Sequence, residues 1–253
     1  MGIEGGPGGT LPPGKENGDP GGTLPPGRKS EAPGENSPPG EEDVGPEESI
    51  PRDRVAVFGS ALECAQEYAA ILATQGVEWG VIGPHEVPKL WDRHLLNCAV
   101  VAELIPDASG TLVDIGSGAG LPGLVFAMLC QRLRVTLVEP LERRVTFLNE
   151  CVGKLGLGNV TVVRSRAEDL AGSLAADVVT ARAVAPLDRL VPLAAGVARS
   201  GGTVLAIKGR SAEEELTRAR SALRRVGARR AEVLRVGQGK VSPATTVVRF
   251  LAR

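Results

Sequence analysis

Aromatic side chains are scarce in this chain: four Phe, two Trp and one Tyr make up 3% of its 253 residues. Stacking of many bases on aromatic faces therefore cannot be its way of holding a nucleic acid. The single tyrosine, Tyr68, belongs to no Tyr-x-x-x-Lys pair of the kind many nicotinamide oxidoreductases use. Histidine is limited to His85 and His94, and the four cysteines (64, 98, 130 and 151) contain no Cys-x-x-C. That excludes a zinc site with ordinary ligand spacing and leaves no Ser/His/Asp or Cys/His set, so the thiols read as reduced and buried. No apolar stretch approaches the roughly 18 residues that span a bilayer. The N-terminal region lacks both the apolar run of a signal peptide and the arginines of a transit peptide. These absences predict a soluble, cytoplasmic protein with no membrane partner and no metal.

What is present divides at residue 50. Of the first 50 residues, 23 are Gly or Pro, and GGTLPPG occurs at 8–14 and again at 21–27. A segment of this composition cannot bury enough apolar surface to offset its ordering entropy, so it is expected to be a disordered extension. It holds three Lys/Arg against ten Asp/Glu, a net of −7, while the remainder holds 26 against 20, a net of +6. The near-neutral total of −1 thus hides a basic body, suited to an anionic partner, behind an acidic extension.

The stretch 111–123, TLVDIGSGAGLPG, organises that body. Thr111–Ile115 is short, apolar and β-branched, the pattern of a buried strand. Glycines at 116, 118, 120 and 123 follow, with a helix expected from Leu121. Strand, glycine turn and helix start suit a nucleotide-like ligand, approached closely by backbone and by outward N–H groups. The dinucleotide pattern G-x-G-x-x-G fails from Gly116, where Leu121 holds the sixth place, and matches only from Gly118, two residues late. Asp114-x-Gly116-x-Gly118-x-Gly120 instead resembles the first motif of Rossmann-like S-adenosylmethionine-dependent methyltransferases. Glu139 ends the next strand, 21 residues after Gly118, where a carboxylate can accept from both ribose hydroxyls.

Around this centre the periodicity predicts two helices, one from Ser60 through Leu72 that Gly76 stops (Ser60 as N-cap, Glu63 completing a capping box) and one from Pro84 to about Ile105. Strands then alternate with helices: 134–139, helix 142–155, strands 160–163 and 177–181, helix 187–198, strand 202–208, helix 212–226. Strands 231–236 and 245–251 close the chain with no helix between them. This is an α/β pattern: a mostly parallel seven-stranded sheet, a C-terminal antiparallel hairpin and an N-terminal helical cap. The division expected is a disordered extension at 1–50, a helical cap at 51–108 and a cofactor-binding domain at 109–253.

Four further segments narrow the resemblance: Arg143-Arg144-Val-Thr-Phe147-Leu148, Ser165-Arg166-Ala167-Glu168 with Thr180-Ala-Arg182-Ala183, Leu205-Ala-Ile-Lys208-Gly209, and Leu90-Trp-Asp-Arg93-His94-Leu-Leu-Asn97. With the glycine motif they make residues 60 to 253 similar to the glucose-inhibited division protein B family, the 16S ribosomal RNA guanine-N7 methyltransferases. At 79–85 this chain has Trp-Gly-Val-Ile-Gly-Pro-His where the family commonly shows a Tyr/Asn-Leu-Thr run. The resemblance implies a class I methyltransferase that uses S-adenosyl-L-methionine on a guanine of the 530-loop region of 16S rRNA, free or in the small ribosomal subunit. It implies a cofactor site of Gly116, Gly118, Gly120, Leu121, Glu139, Ala167, Glu168 and Arg182, with Arg182 and Lys208 as the catalytic pair that positions the guanine.

The chemistry agrees with what is missing. Guanine N7 offers a free lone pair and no proton, so in-line transfer from a sulfonium needs alignment and no general base. Arg182 and Lys208 would hold phosphate or the guanine O6 edge. His94 reads as a packing and hydrogen-bonding residue between cap and sheet, and Arg93 either as a phosphate contact or as the partner of an acid. Arg218, Arg225 and Arg229 read as one rough helix face, either a solvated surface, the favoured reading, or an RNA track. A monomer is expected. Two other readings stay open at this point: an NAD(P)-dependent oxidoreductase using Gly118–Gly123, and a non-catalytic RNA-binding assembly factor on the same fold.

Overall fold

The β-branched apolar runs form seven strands: β1 (Ser109–Ile115), β2 (Arg132–Val138), β3 (Val160–Val163), β4 (Ala176–Arg182), β5 (Ala198–Lys208), β6 (Arg229–Val236) and β7 (Thr245–Leu251). They are seen in a computed structural model that describes residues 51–106 and 109–253. The expected disordered extension at 1–50, and the cap boundary at 107–108, lie outside the described residues. The strands join in one sheet of order β3-β2-β1-β4-β5-β7-β6. Every pairing from β3 to β5 is parallel, and β7 runs antiparallel between β5 and β6. Strand order therefore reverses between β1 and β4, where open α/β sheets bind ligands beyond the carboxyl ends of the strands.

Alternation of side chains assigns each strand residue to a face. Leu112, Leu137, Val178, Leu205 and Ile207 pack with the N-terminal helices and with α5 (Gly123–Leu129) and α6 (Glu142–Lys154). Val113, Ile115, Val138, Val179, Ala181, Val204 and Ala206 pack with α7 (Leu187–Val197) and α8 (Ala212–Arg225). By the same parity Asp114 and Arg182 belong to the cap face, whereas Lys208 belongs to the α7/α8 face.

The cap departs from its expected outline. A helix not read from the sequence, α1 (Arg52–Phe58), leads through a 3-10 turn into α2 (Leu62–Ala73), so no side chain caps α2 and Ser60 is no N-cap. After Thr74 the short α3 (Gln75–Glu78) follows. The long second helix is instead a 3-10 segment Pro84–Lys89, a π segment Leu90–Leu95, α4 (Leu96–Ala99) and a 3-10 segment Val100–Leu104. Pro88 lies inside the first of these, where its missing N–H and its ring disfavour α geometry. Arg52–Glu78 is a helical run of 27 residues that contains an 18-residue stretch of mean hydropathy 1.2, apolar enough by length and composition to cross a membrane. Interspersed charges and glycines hid that length in the sequence. Its Ala65, Tyr68 and Leu72 are fully buried in the core beside the sheet.

The aromatic and cysteine residues are mostly structural. Phe147 is fully buried against Trp79, and Trp91 meets Phe58 edge-on with the Arg54 guanidinium 4.3 Å above its ring. All four cysteines are free thiols, and burial pushes Cys98 up to about 11 and Cys151 up to about 12. Arg229 opens β6 and lies beyond α8, so it cannot share a helix face with Arg218 and Arg225.

Candidate active site

Asp114 is the penultimate residue of β1, with its side chain fully buried. One carboxylate oxygen accepts the Gly123 N–H at 3.1 Å at the start of α5, and the other, Oδ1, has no hydrogen-bond partner. Burial pushes this carboxyl from the ordinary 3.8 up to about 7, against the pull of the Gly123 N–H. Helix α5 begins at Gly123, two residues later than expected, because residues 117–121 close a turn first: Gly120 and Leu121 donate to the Ser117 carbonyl at 2.7 and 3.2 Å.

The glycine turn is shaped by backbone that other residues rarely adopt, with φ of 63° at Gly116, 57° at Gly118 and 97° at Gly120. Its N–H groups do not point outward as expected. Gly116 and Ser117 donate to Val138 O, Gly118 donates to Glu139 Oε2 at 2.9 Å, and Gly123 is taken by Asp114. A pyrophosphate would find these donors engaged and a carboxylate beside them, which argues against a dinucleotide. Tyr68 Oη donates to Ala119 O at 2.6 Å, tying the turn to the cap.

Glu139 is 1% exposed, and its other oxygen accepts the Leu141 N–H at 3.1 Å. Each carboxylate oxygen has two lone pairs, so the pair retains acceptor capacity for hydroxyls. Leu141 stands 53% exposed next to it, an apolar platform at the rim. Around Gly118 a Cβ would meet nothing nearer than Gly116 O at 3.8 Å, so this glycine opens onto free space. At Gly116 a Cβ would come within 2.8 Å of Val184. Leu121 is buried beneath the turn, Ala167 is buried beyond β3, and Glu168 is exposed at the start of a 3-10 turn on the same sheet edge.

Across the β1/β4 gap, Arg182 Nη1 lies 3.0 Å from His94 Nδ1 and 3.5 Å from Arg93 O. His94 Nε2 lies 2.8 Å from Glu86 Oε2, so His94 bridges cap and sheet. Arg93 stays 62% exposed at 3.8 Å from the same Glu86. Beyond Arg182 the chain turns through Ala183 at φ 56°, a left-handed conformation that strains an alanine and seats Val184 over Gly116.

Lys208 is engaged elsewhere. Its Nζ lies 2.8 Å from Glu215 and donates to Ala185 O at 2.7 Å, while Glu215 accepts the Leu187 N–H at 3.0 Å. This nearly buried pair clamps the loop 183–187 from the face of the sheet opposite Arg182. The structure thus gathers Gly116, Gly118, Gly120, Leu121, Glu139 and Arg182 at the switch point and does not bring Lys208 to Arg182. Sequence reading missed Tyr68, Glu86, Val184 and Glu215. Glu215 had a signal, since it falls on the buried helical face with Ala212, Ala219 and Ala222.

Strand order, glycine turn and the acid just after β2 define the class of S-adenosylmethionine-dependent methyltransferases. The chain superposes on a SAM dependent methyltransferase from Aquifex aeolicus with a TM-score of 0.50 at 22% identity, covering 68% of this chain and 100% of that one. The family is settled by sequence. The GidB model, described as rRNA small subunit methyltransferase G, matches residues 61–242. Ribosomal RNA small subunit methyltransferase G of Thermobifida fusca is 57% identical over 201 residues, or 79% of this chain and 84% of that protein. Its counterpart in Streptomyces coelicolor is 53% identical over 201 residues with the same coverage. The chain belongs to the GidB family of rRNA small subunit methyltransferases.

Proposed function

We propose that this enzyme methylates N7 of a guanine in the 530-loop region of 16S rRNA, with S-adenosyl-L-methionine as donor. The observation that carries the reading is the glycine turn at the β1/β4 switch point, open at Gly118, with the Glu139 carboxylate at its rim and Arg182 across from it. These residues fit the cofactor: Gly116, Gly118, Gly120 and Leu121 would hold its methionine end, Glu139 its ribose, and Ala167, Glu168 and Leu141 its adenine. When bound, it supplies an electrophilic methyl group on a cationic sulfur.

The protein's part is alignment. N7 carries a lone pair, so no residue removes a proton, and Arg182 presents N–H donors to the guanine edge or to a flanking phosphate. Lys208 takes a supporting role, fixing the loop that carries Val184 against Gly116. In this reading residues 51–108 serve as the cap and 109–253 as the catalytic part of a monomer that works in the cytoplasm on rRNA or on the small subunit. In-line displacement requires no metal.

Single-turnover transfer to small ribosomal subunits, followed by nucleoside mass spectrometry, tests the proposal. 7-Methylguanosine is the expected product, and Arg182→Ala should lower the rate by about 5- to 150-fold, the worth of one paired contact to a guanine edge. Arg182→Lys should rescue poorly because an ammonium lacks the planar fork. A methyl group on another atom, or full activity in Arg182→Ala, would overturn the assignment.

A further inference from the structure

We propose that His94 is a positioning residue for methyl transfer: as an obligatory hydrogen-bond acceptor in the cap, it fixes the guanidinium of Arg182 for the incoming guanine. The inference rests on the reading of Arg182 as the group that holds the substrate. Its basis is directional. A guanidinium has donors only, so at 3.0 Å from Arg182 Nη1 the Nδ1 of His94 must carry a bare lone pair. The ring proton then sits on Nε2 and is donated to Glu86 Oε2 at 2.8 Å. One tautomer of a neutral imidazole satisfies both contacts, and neither the other tautomer nor imidazolium does.

The surroundings keep that state. His94 belongs to the π segment Leu90–Leu95, a rare geometry that recurs at functional sites, and its side chain is 15% exposed. The charged groups around it are Arg182 from β4, Arg93 beside it, and Glu86 from the preceding 3-10 segment, which Lys89 also pairs at 3.5 Å. Burial, and then the Arg182 charge, hold the imidazole below its ordinary 6.5, against the opposing pull of Glu86. Protonation would aim an N–H at the guanidinium and set two cations together, releasing Arg182 from the cap. Arg182 needs such a guide because it immediately precedes the left-handed turn at Ala183, and its other cap contact, to Arg93 O, is long at 3.5 Å.

The test is the pH profile of single-turnover methyl transfer between pH 5 and 8.5, with S-adenosylmethionine binding measured alongside as a check on folding. The wild-type rate should fall on an acid limb with its midpoint below 6.5. His94→Asn keeps a carbonyl acceptor near the Nδ1 position and cannot titrate, so it should retain most of the rate at pH 8 and lose the acid limb. His94→Phe should lower the rate by about 10- to 100-fold at every pH, as expected for a lost hydrogen bond to a charged group, with cofactor affinity kept within a few-fold. Glu86→Gln removes the charge that favours imidazolium and should move the limb to lower pH. A merely structural histidine would alter the melting temperature and leave the shape of the profile alone. Asp114 also titrates near 7 and faces Arg182, so a wild-type limb persisting in His94→Asn would assign it to Asp114 and overturn the proposal. An unshifted limb in Glu86→Gln would overturn it too. Full activity in Arg182→Ala would instead remove the underlying reading, which separates the two failures.

Discussion

The two ends of the parallel strands carry the same chemical groups in opposite conditions. At the amino end, Asp177 accepts the N–H and the hydroxyl of Thr111 at 2.9 and 2.7 Å, and the Arg199 Nε at 2.6 Å. The hydrogen bond from Arg199, reinforced by Thr111, holds its carboxyl down at about 2. At the carboxyl end, Asp114 keeps one oxygen unpartnered and Ala183 is held left-handed. One edge satisfies its polar groups and stabilises the fold. The other holds groups away from their preferred states, as functional sites do.

Removing the clamp at the carboxyl end should have the largest effect. Lys208→Ala leaves Glu215 buried without its cation, which should lower stability by about 3–5 kcal/mol in denaturant titration. A loss below 1 kcal/mol would show the pair to be solvated. The two aspartates should then respond to pH with opposite sign. Asp114, raised to about 7, contributes stability that is complete below pH 4 and lost as pH rises through 7, an effect of about 4 kcal/mol. Asp177, lowered to about 2, contributes stability that is present above pH 4 and lost as pH falls through 2. Solvent screening limits that share to about 1 kcal/mol. Unfolding free energy measured from pH 2 to 8 should lose its alkaline decline in Asp114→Asn and part of its acid decline in Asp177→Asn. Identical profiles in both variants would erase the contrast.

A smaller effect is expected at the glycine turn. Gly118→Val should abolish the stabilisation by S-adenosylmethionine, about 2.7 kcal/mol at 100 times its dissociation constant. A retained melting shift would place the ligand elsewhere. Smallest of all, Ala183→Gly should relieve strain and raise stability by about 1 kcal/mol while slowing methyl transfer. Unchanged turnover would make the strain incidental.

Much of this was legible in the residues. The strand pattern gave all seven strands in their places, because β-branched runs bounded by glycine and polar turns have few alternatives. The glycine turn and Glu139 were located by spacing alone. Strand parity in Leu205-Ala-Ile-Lys208 could have separated Lys208 from Arg182, since Ile207, the register partner of Arg182, shares its face and the next residue cannot. The cap was less readable. A π segment has no compositional signature, and whether Glu86 or another acid meets His94 depends on a fold-back over eight residues. The outward N–H groups expected of the turn were misjudged because the partners that take them, Val138 O and Glu139, come from the next strand.

The bond from Tyr68 to Ala119 gives the molecule an intrinsic optical label. The chain has one tyrosine, and its hydroxyl rests on the carbonyl between two glycines of the turn. Any displacement of that carbonyl alters the absorption and vibrational bands of a single phenol, with no second phenol to obscure them. Difference spectra of the unmodified protein therefore report on the glycine turn directly, residue-resolved without isotopes or attached dyes.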